Sequence, residues 1–466
     1  DNTKAFFTFS KRPFVRHNFK KKPENSINLW NKIKLKTMYK IENITIQGFW
    51  GEHKIETNFH SDINIFIGRN GTGKTTFINL LQALLSVDLE LLYSLQYDKI
   101  IVNLKDHSKK RKIELTKIFE NLEYKRIEYK IGTTKYNLPF LPERELRFLN
   151  KNSGRIHPRI NQEIFNIKKN LKELIDVSYL SVHRDNLYKN EDSREFRRED
   201  VYNAIDSRLE ELLGNLTIYE LQLETELSKL SKEFHENVLR SMLYNLEFDS
   251  INIKEEVKLD IRQISIGLRQ AYRSLGILDT QTTESVDMHV KAIGNAVEGI
   301  NNHVKDESLP VYPDMVTPLT LLRRTRKIIK LSSDLEEQKK SIFHPINRYL
   351  ELLNEFHDTK KFTIKTTKSQ GLIVHKGDMT IPLTQLSSGE KQLIILLTEA
   401  LLQKSKETLF IADEPELSLH IEWQRKVISS ISILNPNAQI IIATHSPEIV
   451  GKFKDKAINM ENIIYG

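Results

Sequence analysis

There is no cysteine in the 466 residues, which removes disulfides, thiol catalysis and every zinc site built on thiolates. No apolar stretch approaches the roughly 20 residues that a membrane-spanning helix needs. The start, Asp1-Asn2-Thr3-Lys4-Ala5-Phe6-Phe7, has no apolar signal-peptide core. Internal repeats and low-complexity tracts are missing too. These absences lead to the expectation of a cytoplasmic protein without a membrane partner. What is present is ordinary: 39% hydrophobic and 28% charged residues suit a soluble globular chain, long enough for two or three structural units.

Charge is uneven. Residues 1–37 hold ten Lys/Arg against two acids, so the net charge of +8 sits in this arm and the remainder is neutral. Lys11-Arg12, Lys20-Lys21-Lys22, Lys32, Lys34 and Lys36 interleave there with Phe6, Phe7, Phe9, Phe14 and Phe19. Such an arm suits nucleic-acid phosphate, for which charge neutralisation dominates affinity, or an acidic protein surface. The plainer expectation is a solvated tail ahead of a domain that begins near Met38.

The most specific segment is Gly68-Arg69-Asn70-Gly71-Thr72-Gly73-Lys74-Thr75, placed after the apolar run Ile63–Ile67 and before Thr76-Phe77-Ile78-Asn79-Leu80-Leu81. A phosphate-binding loop belongs at such a strand-to-helix turn. Its glycines let backbone N–H groups of Asn70 to Thr76 converge on phosphate oxygens, and the helix N-terminus adds partial positive charge. Lys74 reaches the β- and γ-phosphates of ATP, and Thr75 offers a hydroxyl to Mg²⁺.

More than three hundred residues later, Leu386-Ser387-Ser388-Gly389-Glu390-Lys391-Gln392 opens an apolar helix. Then follow Thr408-Leu409-Phe410-Ile411-Ala412-Asp413-Glu414-Pro415 and Gln439-Ile440-Ile441-Ile442-Ala443-Thr444-His445-Ser446-Pro447. Continuous apolar runs of this type belong to a parallel sheet covered on both faces, with ligands bound beyond the carboxyl ends of its strands. Asp413 is placed to hold Mg²⁺, and Glu414 to accept the proton of a water attacking the γ-phosphate.

In order and spacing these segments resemble the ATP-binding-cassette ATPases, and among them the heads of the SMC, RecF and OLD-type group. The resemblance implies an α/β ATPase head with flanking antiparallel strands and a long helical insertion. It makes His445 the switch histidine that senses the γ-phosphate, Leu417-Ser418-Leu419-His420 the D-loop, and Ser387-Ser388-Gly389-Glu390 the signature that completes the ATP site of a second copy. Ser388 stands where the family usually has glycine. A homodimer of heads, or a higher homo-oligomer, is implied. A zinc hook of the Rad50 type is excluded by the missing cysteine.

The chain between the motifs divides accordingly: an arm over 1–37, a first head lobe over 38–190, a helical insertion over 191–356 and a second lobe over 357–466. Residues 100–141 read as charged antiparallel strands. His183 and Arg184 stand where related heads often carry a Q-loop glutamine. Apolar residues three and four apart, such as Leu209, Leu212, Leu216, Leu223, Leu227 and Leu230, and later Ile342, Ile346, Tyr349 and Leu353, mark helices of some 20 to 40 residues, roughly 30 to 60 Å long. Pro310, Pro313 and Pro318 mark a break between helices.

The insertion argues against a transporter cassette. The sequence ends about twenty residues past His445, which leads to the expectation of a head without the Toprim nuclease of OLD-type relatives. Leu386-Ser387-Ser388-Gly389-Glu390 and the run Asp413 to His420 resemble the AriA ATPases of PARIS antiphage systems, which implies control of a separate effector nuclease and a phage-encoded trigger protein. The alternative is a RecF-like repair ATPase that binds DNA directly.

Overall fold

A computed structural model describes residues 38–120, 123–141, 158–181, 198–243, 260–305, 312–364 and 371–465. The basic arm, His183 and Arg184, and Pro310 lie outside the described residues.

Strands β1 (Lys40–Phe49) and β2 (His53–Asn58) form a hairpin, and β3 (Ile63–Ile67) leads into helix α1 (Lys74–Ser86) and the short α2 (Leu89–Ser94). Next come β4 (Lys99–Lys105), β5 (Lys110–Glu120), β6 (Glu123–Ile131) and β7 (Thr134–Pro139), then α3 (Pro158–Leu174) and β8 (Val177–Ser181). The insertion comprises α4 (Arg198–Met242), α5 (Ile261–Ser274), α6 (Thr280–Lys305) and α7 (Pro313–Glu355). A small antiparallel sheet of β9 (Lys361–Ile364), β10 (Leu372–Lys376) and β11 (Met379–Ile381) precedes α8 (Ser388–Leu402), β12 (Leu409–Asp413), α9 (Ile421–Leu434), β13 (Gln439–Ala443) and α10 (Pro447–Val450). Strands β14 (Ala457–Asn459) and β15 (Ile464–Tyr465) follow.

The apolar runs form a parallel sheet in the order β14-β3-β13-β12-β8. It draws strands from both sides of the insertion. Alternate residues serve opposite faces. Phe66, Ile411, Ile441 and Ala443 pack into one core with α1 and the seven-stranded antiparallel sheet, ordered β15-β2-β1-β4-β5-β6-β7. Ile65, Phe410, Ala412, Ile440 and Ile442 pack into a second core with α8, α9 and the bases of α4 and α7. Burial on both faces explains why these strands are continuously apolar rather than alternating. Gln439, fully buried, joins the sheets: its Oε1 accepts from Ile41 N at 2.8 Å, and its Nε2 donates to Ile41 O and His60 O.

The insertion helices are longer than the periodicity predicts. α4 runs 45 residues and α7 runs 43 residues, roughly 65 Å each at 1.5 Å per residue. Pro313 occupies the first turn of α7, where a missing N–H costs nothing, while Pro318 and Pro345 lie inside the helix instead of ending it. An internal proline costs about 3 kcal/mol. Around Pro345, burial of Ile346, Tyr349, Leu352 and Leu353 contributes about 1.5–3 kcal/mol per side chain, so packing outweighs the broken ladder.

The base of the insertion is bonded to α8. Lys391 Nζ, almost fully buried, lies 2.7 Å from Asp206 Oδ1. Arg208 Nη2 lies 2.8 Å from Glu399 Oε2, whose other oxygen accepts from Ser178 Oγ at 2.6 Å. Away from this base, α5, α6 and the start of α7 bury Ile264, Leu268, Val286, Ile293 and Leu322 in a separate small core.

Candidate functional site

β3, β13 and β12 are parallel neighbours, so their carboxyl ends open on one edge of the sheet. β3 delivers Gly68 to Lys74, β12 delivers Asp413 and Glu414, and β13 delivers Thr444 to Ser446. Segments far apart in the chain thereby meet at a position where open α/β sheets bind ligands.

The loop after β3 depends on glycine. Gly71 and Gly73 adopt φ of +83° and +86°, and a Cβ on Gly73 would stand 2.9 Å from the rings of Phe49 and Trp50. Helix α1 starts at Lys74 with no side-chain cap and no acid in its first turn, leaving its N–H groups and positive pole for an anion. Asn70 and Gly71 are exposed, Thr72, Thr75 and Thr76 half-buried. Thr72 Oγ1 donates to Arg69 O at 2.9 Å. Lys74 is 4% exposed, and its Nζ donates to Gly68 O at 2.8 Å and Arg69 O at 3.1 Å. Desolvation lowers its pKa, opposed by Glu414, Asp413, Glu416 and Glu461. A desolvated ammonium beside uncapped amides is a receptor for phosphate.

Thr75 Oγ1 lies 3.4 Å from Asp413 Oδ1. Two oxygens in adjacent octahedral positions around Mg²⁺, each about 2.1 Å from the ion, are roughly 3 Å apart. The hydroxyl and the carboxylate therefore fit that cation.

Glu414 sits in the left-handed region at φ +49°, with its N–H on Ala443 O at 2.8 Å. Such backbone costs about 1–3 kcal/mol in a non-glycine residue and persists where surroundings impose it. It leaves Glu414 Oε1 3.6 Å from His445 Nε2, both side chains about one-third exposed. Glu416 belongs to the run Asp413-Glu414-Pro415-Glu416-Leu417-Ser418-Leu419-His420 that carries the resemblance, but its residue type alone assigns it no role. Here it is buried, and its Oε1 accepts from Thr444 Oγ1 at 2.5 Å, His445 N at 2.9 Å and Ser446 N at 3.2 Å.

The turn before α8 stands apart from this cluster. Ser387 and Glu390 form a capping box, each satisfying the other's backbone N–H. Glu390 Oε1 also holds Lys360 Nζ at 2.5 Å and lies 3.7 Å from the buried His357. Ser387 is exposed and Ser388 half-buried, while a Cβ on Gly389 would stand 2.2 Å from Ser418 O. Among the described residues, no hydrogen bond or ion pair of Ser387 to Glu390 reaches the loop of Gly68 to Thr76.

Residues 38–450 match the model of the AAA ATPase domain, AAA_15. The chain belongs to this family. Within it, the AAA ATPase domain described here is 24% identical over 288 residues to the Retron Vc95 probable ATPase of Vibrio cholerae, covering 57% of this chain and 54% of that one. It is 50% identical over 44 residues to Septu protein PtuA of Bacillus thuringiensis, covering 9% and 11%. The chain thus spans about half the length of the first relative and far less of the second. The Smc head domain with an extended coiled coil from Pyrococcus furiosus aligns at a TM-score of 0.40 and 14% identity, over 89% of this chain and 92% of that one. No helix among the described residues is long and apolar enough to cross a membrane. Nor do three or more His, Asp or Glu side chains among them gather as a metal site.

Proposed function

We propose that this AAA ATPase domain hydrolyses ATP with Mg²⁺, works as a homo-oligomer of heads, and controls a separate effector nuclease in a bacterial antiphage module. The observation that carries the chemistry is the convergence, at one sheet edge, of Thr75 with Asp413 at 3.4 Å and of Glu414 with His445 at 3.6 Å. Lys74 and the amides of Asn70 to Thr76 bind the phosphates, and Thr75 and Asp413 hold Mg²⁺, which neutralises charge developing on them. Glu414 takes the proton of the attacking water and His445 faces the γ-phosphate. Ser387, Ser388 and Gly389 face the nucleotide of a second copy, a reading supported by the exposure of Ser387 and by the lack of contact with their own chain's loop. The ATPase head comprises 38–190 and 357–466, with the insertion between them. Likeness to the retron and Septu proteins supports the defence setting, and within it the role proposed is that of an AriA-like ATPase.

The test pairs phosphate release with infection. Wild-type protein should hydrolyse ATP only with Mg²⁺, and cells carrying it with its neighbouring genes should resist phage plating, whereas Lys74→Ala cells should not. Hydrolysis stimulated mainly by duplex DNA, with catalytic variants sensitising uninfected cells to DNA damage, would favour a repair ATPase instead.

A further inference from the structure

Glu414 and His445 lie 3.6 Å apart, too far for a hydrogen bond. What sets their separation lies beneath them. Glu416 Oε1 gathers donors from three consecutive residues, Thr444, His445 and Ser446. Its Oε2 is buried without a hydrogen-bond partner among the described residues, so the first oxygen alone fixes the side chain. A second tie runs parallel: Ser446 Oγ donates to Gln424 Oε1 at 2.6 Å, Gln424 Nε2 to Leu419 O at 2.9 Å, and Leu419 N to Glu416 O at 2.9 Å. With Glu414 N on Ala443 O, the turn after β12 and the loop after β13 become one unit.

We propose that Glu416 is a positioning residue, which holds the backbone of His445 in register with Glu414 so that turnover, rather than ATP affinity, depends on it. The proposal rests on the ATPase reading above. Bonds to a carboxylate are roughly twice as strong as neutral ones, and a reacting group misplaced by about 1 Å costs on the order of a hundredfold in rate.

The experiment compares Glu416→Ala, Glu416→Gln and Thr444→Val with wild type in steady-state ATPase kinetics, thermal melting, and deuterium exchange at the His445 and Ser446 amides. Glu416→Ala should lower kcat by about tenfold to a hundredfold with KM within about threefold, and the His445 amide should exchange faster, whereas Ser446 N, which also donates to Thr444 Oγ1 at 2.9 Å, should change less. Glu416→Gln, whose carbonyl oxygen can accept the same three bonds, should recover kcat to within about fivefold of wild type. Thr444→Val removes one donor to Glu416, together with the Oγ1 that accepts from Ser446 N at 2.9 Å, and leaves Glu416 intact, so it serves if the alanine variant melts too low to assay; a fall in kcat with unchanged KM supports the clamp. Wild-type kcat in Glu416→Ala, or equal losses in the alanine and glutamine variants, would overturn it. Should wild type itself not hydrolyse ATP, the ATPase reading fails on its own, and unchanged amide exchange in Glu416→Ala would separately sink the clamp.

Discussion

Thr75 Oγ1 stands 3.4 Å from Asp413 Oδ1 although 338 residues separate them in sequence. β13 lies between their strands, so the contact depends on the whole parallel sheet being assembled. Replacing either oxygen, in Thr75→Ala or Asp413→Asn, should raise the Mg²⁺ concentration for half-maximal ATP turnover by about tenfold or more. A magnesium titration at saturating ATP checks this; an unshifted midpoint in both variants would remove the pair from the cation site.

Lys74 and Glu414 should separate binding from chemistry. Lys74→Ala removes the buried ammonium and should weaken ATP binding by about tenfold to a hundredfold. Glu414→Gln keeps shape and loses the base, so it should bind ATP normally, turn over about a hundredfold more slowly and accumulate as a dimer. Fluorescent-nucleotide titration, phosphate release and sedimentation read the three quantities.

Ser388 should act on the other subunit. Ser388→Arg puts a bulky cation on the first turn of α8, so ATPase should fall while ATP affinity stays near wild type. Mixed with Lys74→Ala, it should regain at most one working site per dimer. Full activity of Ser388→Arg at low protein concentration would point to a monomeric enzyme.

Glu220 gives a pH signature. It is 3% exposed on α4, neither carboxyl oxygen has a hydrogen-bond partner among the described residues, and burial, with Glu224 nearby, pushes its pKa from 4.5 up to about 7. The folded state therefore binds more protons than the unfolded state between these values, and stability falls as pH rises through that window. Glu220→Met should flatten this slope and stabilise the protein at pH 8 by up to about 3 kcal/mol, with a smaller gain at pH 5. Melting curves at both pH values decide; equal gains would show that the carboxyl does not titrate there.

Much of the site was legible because phosphate chemistry dictates residue types at fixed spacing. Gly71, Gly73 and Lys74 are read together, and Asp413 and His445 each follow an apolar run that only a doubly covered strand requires. Partnerships across long separations leave no such trace. Gln439 meets Ile41 across 398 residues, and Glu416 meets Thr444 across 28. Resemblance makes Glu390 a signature residue, and the structure commits its oxygens to Ser387 and Lys360. Pro318, read as part of a break between helices, lies inside α7, because packing, absent from local propensity, decides whether a helix continues.

The ion pairs Lys391–Asp206 and Arg208–Glu399 clamp α8, which begins at Ser388, to α4, a rod roughly 65 Å long, a little over two turns from its start. Geometry then acts as a lever. A tilt of about 5° at the clamp sweeps the far end of α4, about 50 Å away, through roughly 4 to 5 Å, a little under one helical turn. Residues at the clamp barely move under the same tilt, because displacement grows with distance from the pivot.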